Sequence, residues 1–261
     1  IDVIDFSKVE KLIDYKALND FRKRGLDIDN PKTKGTNQGD QIYFQAVEAR
    51  NPYYLALPDI VNNYMSEINK ITGKDYKPFN YYGNKDATNV IIAMGSVCQT
   101  VKEYLKYNDS VGLVEVHLYR PFSKKYFLDV LPKNIKKIAV LDRTKEPGAN
   151  GEPLYLDVCE VLKDTDIKII NGRYGLSSKD TNLNDIEAVY NFLDSDSLHN
   201  FTIGIMDDVT NLSLDKTDTK FTKNYEELLI FGYGSDGMVT TSKDILTIVG
   251  DNTNKYVQGY F

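Results

Sequence analysis

A glycine-rich segment near the end of the sequence has the residue types and spacing of an anion-binding loop. It reads GYGSDG from Gly232 to Gly237 and lies between an apolar run and a stretch with helical periodicity. Glycines let a backbone approach a phosphate closely, and the N–H groups at the N-terminus of a helix can bind it. The sequence therefore predicts a phosphate-binding loop.

Two nucleotide-binding motifs fit this loop poorly, and a nucleophile motif fits neither this loop nor the segment around Ser96. GYGSDG matches GxGxxG by letter, but Asp251 is the only nearby candidate for the ribose-binding acid that is expected about twenty positions on. Lys243 follows too late for a Walker loop. The GxSxG motif fails at Ser96 and at Ser235, because each lacks a flanking glycine. A dinucleotide remains an alternative to another phosphate-bearing ligand.

A second candidate site is the loop that follows the apolar run Lys136–Leu141. The loop contains Arg143, Lys145, Glu146 and Glu152 among several glycines and prolines. Open α/β sheets bind ligands just beyond the carboxyl ends of their strands, which is where these charges are expected to lie. The alternative is that the charges only pin the loop to its own fold.

Other residue types that often perform chemistry are sparse or isolated. His117 and His199 are the only histidines and lie in no ligand-spaced cluster, so no metal site is expected. Cys98 and Cys159 are far apart and outside any CxxC spacing, which excludes a sequence-local iron–sulfur site and favours a reducing cytoplasm. Asp207–Asp208 follows a predicted strand and is interpreted either as an acid–base pair or as a solvated strand end.

The composition is that of a globular protein of about two domains. The chain has 261 residues, 41% hydrophobic and 27% charged. A net charge of −6 without a basic block argues against a nucleic-acid partner. No apolar run approaches a membrane span, and the first residues resemble no signal peptide. Because the sequence also lacks an initiator Met, we expect it to be part of a longer chain.

From Asn89 to Met206, short apolar runs alternate with segments of helical periodicity. This alternation predicts a doubly wound α/β domain, with a mostly parallel sheet and helices on both faces. The domain is expected to span about residues 79–206, and the polar stretch 207–224 is expected to be a linker. The predicted strands are Val90–Met94, Val111–Leu118, Lys136–Leu141, Asp166–Ile170 and Phe201–Met206. The predicted helices begin at Thr100, Ser123 and Pro153 and near Asp185.

The segment before this domain is predicted to be helical. Residues 1–34 are interpreted as a helix-bearing arm that packs on something else, and the apolar spacing after Pro58 predicts a helix ending at a Gly73 cap. Several tyrosines in this region are interpreted as core or interface filler, with a stacking platform as the alternative. They are Tyr43, Tyr53, Tyr54 and Tyr64.

The segment after the domain is predicted to start a second α/β unit. A strand is expected at Glu227–Phe231, a helix around Val239–Ile248, and the start of another strand at Lys255–Phe261. A natural domain would not leave such a strand unpaired, so we expect the chain to be truncated at its C-terminus.

Several blocks of the sequence resemble the pyruvate:ferredoxin (flavodoxin) oxidoreductase family. The longest is DRTKEPGANGEPLYLDV at Asp142–Val158, which is far more specific than any glycine motif. The resemblance covers essentially the whole chain in order. The other blocks are Gly35–Gln45, Tyr53–Met65, LYRPF at Leu118–Phe122, NGRYGLSSKD at Asn171–Asp180, GIMDDVTNLSL at Gly204–Leu214, GYGSDGMV from Gly232, and YVQGYF at the end.

The resemblance implies a domain organisation and a coenzyme site. Residues 1–78 would be the tail of a transketolase-pyrimidine-like first domain, 79–224 a transketolase C-terminal-like second domain, and 225–261 the truncated start of a third domain that binds coenzyme A. The residues that the resemblance assigns to coenzyme A are Gly232, Tyr233, Gly234, Ser235 and Asp236. Departures from the family pattern at Met238, Thr240 and Thr241 bear on the affinity of this site.

The family reaction is the oxidative decarboxylation of pyruvate to acetyl-coenzyme A, with electrons passing to ferredoxin or flavodoxin. Thiamine diphosphate, Mg and 4Fe-4S clusters are implied for the full-length cytoplasmic homodimer. This chain has neither a GDG-type thiamine motif nor a CxxCxxC run, so it is expected to carry no catalytic residue and to be inactive alone. The alternatives are a stand-alone coenzyme A-binding or scaffold module, or an oxidoreductase for another 2-oxoacid.

Overall fold

The computed structural model describes residues 3–33, 35, 37–206, 208–221 and 225–261. Contacts between Cα atoms divide the chain into two compact units, Ile1–Thr219 and Lys220–Phe261. Within the described residues, no helix is both long and apolar enough to cross a membrane.

The helices that precede the sheet have mostly exposed side chains, with half-buried positions along one of them, Asn51–Thr72. They are α1 (Phe6–Val9), α2 (Tyr15–Arg22), α3 (Asp40–Glu48) and α4 (Asn51–Thr72), with a short 3-10 turn at Glu10–Leu12. The predicted end at Gly73 is confirmed, since this glycine adopts a φ of 68° and caps α4. In the described part of these helices, only Pro58 is buried. The four tyrosines named above are each at least 45% exposed, so they are not core residues of this chain.

A six-stranded sheet organises the larger unit. Its order is β1-β3-β2-β4-β5-β6, and β1 and β6 are the edge strands. All neighbouring strands are parallel except β1, which runs antiparallel to β3. The strands are β1 (Phe79–Gly83), β2 (Asn89–Met94), β3 (Gly112–Val116), β4 (Lys137–Asp142), β5 (Lys168–Arg173) and β6 (Phe201–Thr202).

Helices cover both faces of the sheet, which confirms the predicted doubly wound α/β fold. One face carries α5 (Val97–Tyr104) and α8 (Leu183–Asp194), and the other carries α6 (Lys124–Val130) and α7 (Pro153–Leu162). A 3-10 turn at Leu176–Ser178 follows β5. The predicted starts of α6 at Ser123, of α7 at Pro153 and of α8 near Asp185 are confirmed. Asn182 and Asp185 form a capping box at α8.

Aromatic side chains fill the core on both faces. On the α6 and α7 face, the rings of Phe79, Phe122 and Phe127 form a triangle with centroids 5.2 to 5.5 Å apart. On the other face, Tyr190 of α8 stacks on Tyr104 of α5 with centroids 5.4 Å apart. The buried Tyr190 hydroxyl donates to the carbonyl of Gly112 at 2.8 Å, which ties α8 to β3.

Some predicted boundaries in this unit are wrong for local reasons. The strand β1 was not predicted, and α5 begins at Val97 rather than at Thr100, because Gly95 turns the chain with a φ of 79°. The strand predicted to reach Met206 ends at Thr202, since Gly204 also turns the chain, with a φ of 85°. The polar stretch after β6 contacts the domain, because Leu214 N–H donates to the Thr202 carbonyl at 2.9 Å.

The smaller unit contains the glycine loop and α9 (Met238–Asn252), with irregular segments before and after them. The predicted helix around Val239–Ile248 is thus confirmed. The strands predicted at Glu227–Phe231 and Lys255–Phe261 are wrong: in the described residues, neither segment forms a ladder. Apolar composition favours a strand, but a strand also requires a partner that supplies hydrogen bonds.

Candidate functional site

The glycine loop turns sharply into the N-terminus of α9. Gly234, Ser235 and Gly237 have φ values of 78°, 48° and 82°, in the left-handed region that favours glycine. A Cβ atom built on Gly234 would meet no atom within 4 Å. The backbone at Gly234 therefore faces open space, so a ligand can approach it closely.

The carboxylate of Asp236 occupies part of the anion-binding potential of this loop. It accepts the N–H of Tyr233 at 2.6 Å and the N–H of Met238, the first residue of α9, at 3.0 Å. These hydrogen bonds, that from Met238 foremost, lower the pKa of Asp236. The loop thus stabilises one negative charge of its own.

The next two donors of α9 remain open. In the part of the chain that the structure describes, the N–H groups of Val239 and Thr240 have no hydrogen-bond partner. Gly237 caps the helix without a side-chain hydrogen bond, and the Tyr233 ring is fully exposed. The predicted residues Gly232 to Asp236 therefore lie together beside two N–H donors and an accessible aromatic ring.

Charged residues at the end of β4 and in the loop after it hold this loop to its own domain. Asp142, 1% exposed, accepts the N–H groups of Leu154 at 3.2 Å and Tyr155 at 3.1 Å and so caps α7. Burial raises the pKa of Asp142, although these two hydrogen bonds oppose it. Arg143 donates from Nε to the Gly175 carbonyl at 2.8 Å. These contacts support the pinning interpretation over a ligand site.

Glu152, at the end of this loop, is buried and contacts two polar side chains of β5. Glu152 is 3% exposed and accepts a hydrogen bond from Asn171 Nδ2, and Arg173 Nη1 lies 3.7 Å from its carboxylate. Lys145 and Glu146 are exposed. Of the four charges predicted to crowd the loop, Arg143 and Glu152 therefore have structural contacts, and Lys145 and Glu146 face solvent.

A tyrosine closes the crevice where doubly wound sheets usually bind ligands. The sheet order reverses at β2, because β3 and β4 lie on opposite sides of it, and such a switch point opens at the carboxyl ends of the strands. Tyr174, which follows β5, is 6% exposed and donates its hydroxyl to the Met94 carbonyl at the end of β2, at 3.4 Å. Burial raises the pKa of Tyr174 to about 12. The ring thus fills space that a ligand would use.

Sequence reasoning missed a buried charged cluster beside β3. Glu115 Oε2 lies 2.6 Å from Lys102 Nζ of α5 and 3.4 Å from His117 Nε2, and Lys102 also lies 4.0 Å from the centre of the Tyr82 ring. Burial alone raises the pKa of Glu115, but hydrogen bonds and charge from His117 and Lys102 outweigh it and hold this pKa at about 2. Glu115 and His117 are two residues apart in the sequence, but only the fold brings Lys102 and Tyr82 to them.

The remaining candidates have structural contacts. Asp208 accepts N–H groups from Thr210, Leu212 and Ser213 and so holds a turn, whereas Asp207 lies outside the described residues. His199 Nδ1 lies 2.9 Å from the Asn200 carbonyl oxygen. Across the described residues, no group of His, Cys, Asp and Glu side chains could hold a metal ion.

Removing the Asp142 carboxylate tests its capping role. We expect Asp142→Ala to lower the free energy of unfolding by about 2–3 kcal/mol, because two buried N–H groups lose their acceptor. Asp142→Asn keeps an acceptor and should cost less than half as much. Urea denaturation followed by circular dichroism measures both variants, and equal losses would contradict the cap.

Comparisons with known proteins agree on one family. Residues 87–186 match the sequence profile described as pyruvate:ferredoxin oxidoreductase core domain II. The whole chain is 46% identical to pyruvate:ferredoxin oxidoreductase of Moorella thermoacetica and 45% identical to pyruvate-flavodoxin oxidoreductase of Klebsiella pneumoniae, and it spans 23% of each. It is also 39% identical to pyruvate dehydrogenase [NADP(+)] of Cryptosporidium parvum, of which it spans 14%.

Proposed function

Because this chain belongs to the pyruvate:ferredoxin oxidoreductase family, we propose that it is part of an enzyme that oxidatively decarboxylates pyruvate to acetyl-coenzyme A and passes the electrons to ferredoxin or flavodoxin. The support is 46% and 45% identity, over all of this chain, to relatives whose names state pyruvate and these acceptors. The chain spans about a quarter of these relatives, so the activity is proposed for the larger protein.

The chain is proposed to supply structure and coenzyme contacts rather than the redox chemistry. Thiamine diphosphate, Mg and 4Fe-4S clusters would supply decarboxylation and electron transfer from parts of the enzyme outside these residues. The described side chains fit no metal or cluster, because they form no ligand group and both cysteines are free. We also propose a cytoplasmic homodimer.

The proposed domain organisation is a first-domain tail at residues 1–78, a second domain at 79–224 and the start of a third at 225–261. Two observations support it: β1 begins at Phe79, and the family profile covers residues 87–186. Tyr174 supports a scaffold role for the second domain, because the ring already fills the crevice at the carboxyl ends of its strands.

The loop of Gly232, Tyr233, Gly234, Ser235 and Asp236 is proposed to bind coenzyme A. The observation that carries this proposal is the pair of open N–H donors at Val239 and Thr240, beside a backbone that bears no side chain at Gly234. Two N–H donors at a helix N-terminus suit a phosphate oxygen. The exposed Tyr233 ring is available to stack on a base.

Gly234→Val in the full-length enzyme tests this assignment. A valine strains the backbone at φ 78° and places methyl groups where a ligand approaches. We expect the KM for coenzyme A to rise at least about tenfold, equivalent to about 1.4 kcal/mol, while pyruvate decarboxylation, measured as carbon dioxide exchange, changes little.

The matched control for this experiment is Gly148→Val. Gly148 also has a positive φ, 84°, and open space around its Cβ position, but it lies in the loop after β4. This variant should leave the KM for coenzyme A unchanged. Equal loss of both steps in Gly234→Val would reject the loop as the coenzyme site, without rejecting the family reaction.

The electron acceptor needs its own test, because the related names differ in it. They state ferredoxin, flavodoxin or NADP(+). Reduction of each acceptor by the purified enzyme in the presence of pyruvate and coenzyme A would distinguish them. A rate with NADP(+) above those with the two protein carriers would replace the proposed acceptors.

A further inference from the structure

An open groove of about 750 Å³ lies at the amino ends of β4 and β5. This is the edge of the sheet opposite to the loops that carry Asp142 and Tyr174. The end of α6, the end of α7 and the starts of the two strands surround the groove. The proposed reaction and the coenzyme loop use none of these residues.

The floor of the groove is apolar and rests on the core. Leu131, Ile135 and Ile167 are partly buried and pack directly against the core cluster of the α6 and α7 face. Leu128 adds a side chain that is 41% exposed. This apolar surface is continuous with the core and open to a partner, as in grooves that receive the apolar face of a helix.

The rim of the groove is positively charged. Lys133, Lys136 and Lys168 line it and are exposed, and none of them forms an ion pair with a carboxylate in the described chain. Asp166 is the one acidic side chain of the lining. A local excess of positive charge in a chain of net charge −6 attracts an acidic partner.

Several lysines elsewhere on this domain are paired with carboxylates. Lys106 lies 2.5 Å from Glu103, Lys125 lies 3.2 Å from Asp59, and Lys163 lies 2.8 Å from Glu160. A fourth groove lysine, Lys137, is held by the carbonyls of Leu193 and Ser195 at 2.6 and 3.1 Å. Among the four groove lysines, Lys133, Lys136 and Lys168 therefore have ammonium groups left for a ligand.

We propose that this groove binds an acidic amphipathic helix of a partner protein. Its apolar face would cover Leu128 and its neighbours, and its carboxylates would pair with the three rim lysines. These lysines lie on three separate segments, so a ligand with several spaced carboxylates matches them better than a single small anion. The lining contains no aromatic ring on which a nucleic-acid base could stack.

The probe is a fluorescent peptide of about 16 residues, long enough for a marginal helix, with leucines at helical spacing and glutamates elsewhere. A second peptide carries glutamine in place of each glutamate. Anisotropy titration with this chain should give at least about tenfold tighter binding of the glutamate peptide, and about 0.5 M NaCl should remove the difference. Equal binding of the two peptides would overturn the proposal.

Charge reversal locates the site. The variant K133E/K136E/K168E should weaken binding of the glutamate peptide at least about tenfold, because three attractive pairs become repulsive. The control K16E/K74E/K145E makes the same change in net charge at exposed lysines outside the groove and should bind as the original chain does. Circular dichroism checks that both variants fold.

Two results would contradict the acidic helix as occupant. Equal weakening in both triple variants would mean that the peptide responds to overall charge rather than to the groove. Sedimentation equilibrium provides the other check: a dimer of the original chain that K133E/K136E/K168E converts to monomers would identify a second copy as the occupant.

Discussion

Replacing Phe127 by alanine is expected to lower the free energy of unfolding of the larger unit by about 3–5 kcal/mol. Phe127 is fully buried, and its ring contacts Phe79 of β1 and Phe122 just before α6. The truncated side chain loses these contacts and leaves a cavity that close-packed neighbours fill only in part. Urea denaturation followed by circular dichroism measures the loss.

The adjacent residue is a matched control. Leu128 is on the same helix but is 41% exposed, so Leu128→Ala should cost less than about 1 kcal/mol. The ratio of the two losses reports which face of α6 is buried. Similar losses for both variants would mean that this helix is rotated relative to the packing described above.

Replacing Glu115 by glutamine is expected to cost about 3 kcal/mol near neutral pH, and the cost should disappear in acid. The pKa of Glu115 falls from a usual 4.5 to about 2 because His117 and Lys102 favour the charged form over the opposing effect of burial. Such a shift corresponds to about 3 kcal/mol of stabilisation.

The sign of the pH dependence follows from the lowered pKa. A carboxyl group whose folded pKa is depressed contributes stability above its unfolded pKa and loses it as the pH falls. The difference between the original chain and Glu115→Gln should therefore shrink as the pH falls from 4.5 to about 2. Urea denaturation at a series of pH values measures this difference.

Glu103→Gln controls for the loss of a surface charge. Glu103 pairs with Lys106 one helical turn away, and both side chains are about half exposed or more. The change should cost about 0.5 kcal/mol or less, because solvent screens exposed pairs. A Glu115→Gln cost that stays constant down to about pH 2 would contradict the charged role of the cluster.

Local sequence signals sufficed where the determinant was local. Ser123, Pro153 and Gly73 mark helix boundaries through a side-chain acceptor, a fixed φ and a left-handed cap, and all three were predicted. The four central strands β3, β2, β4 and β5 were also predicted, because parallel strands covered on both faces contain short runs rich in apolar residues.

Nonlocal determinants were not accessible from the sequence. The strand β1 reads FNYYG and has no clear alternation, and it is a strand because β3 supplies its ladder. The apolar run at Glu227–Phe231 lacks such a partner and forms no strand in the described residues. The contact between Glu115 and Lys102 likewise depends on how α5 lies across β3.

The conformation of the glycine loop was predictable because its signal is local. Glycine spacing before a helix indicated an open backbone, and the left-handed φ values of Gly234 and Gly237 agree with it. The competing carboxylate of Asp236 was not anticipated, because its hydrogen bonds to Tyr233 and Met238 depend on the turn that the loop adopts. The filling of the crevice by Tyr174 was missed for the same reason.

The edge positions of β1 and β6 set the width of the sheet between its first and last strands in chain order. The chain enters the sheet at β1, and after β6 at the opposite edge it returns to pair with Thr202 through Leu212 and Leu214. With neighbouring strands about 4.8 Å apart, five intervals separate β1 from β6 by about 24 Å. Insertions in the helix-bearing connections would enlarge the domain without altering this separation, whereas gain or loss of a strand would change it by one interval.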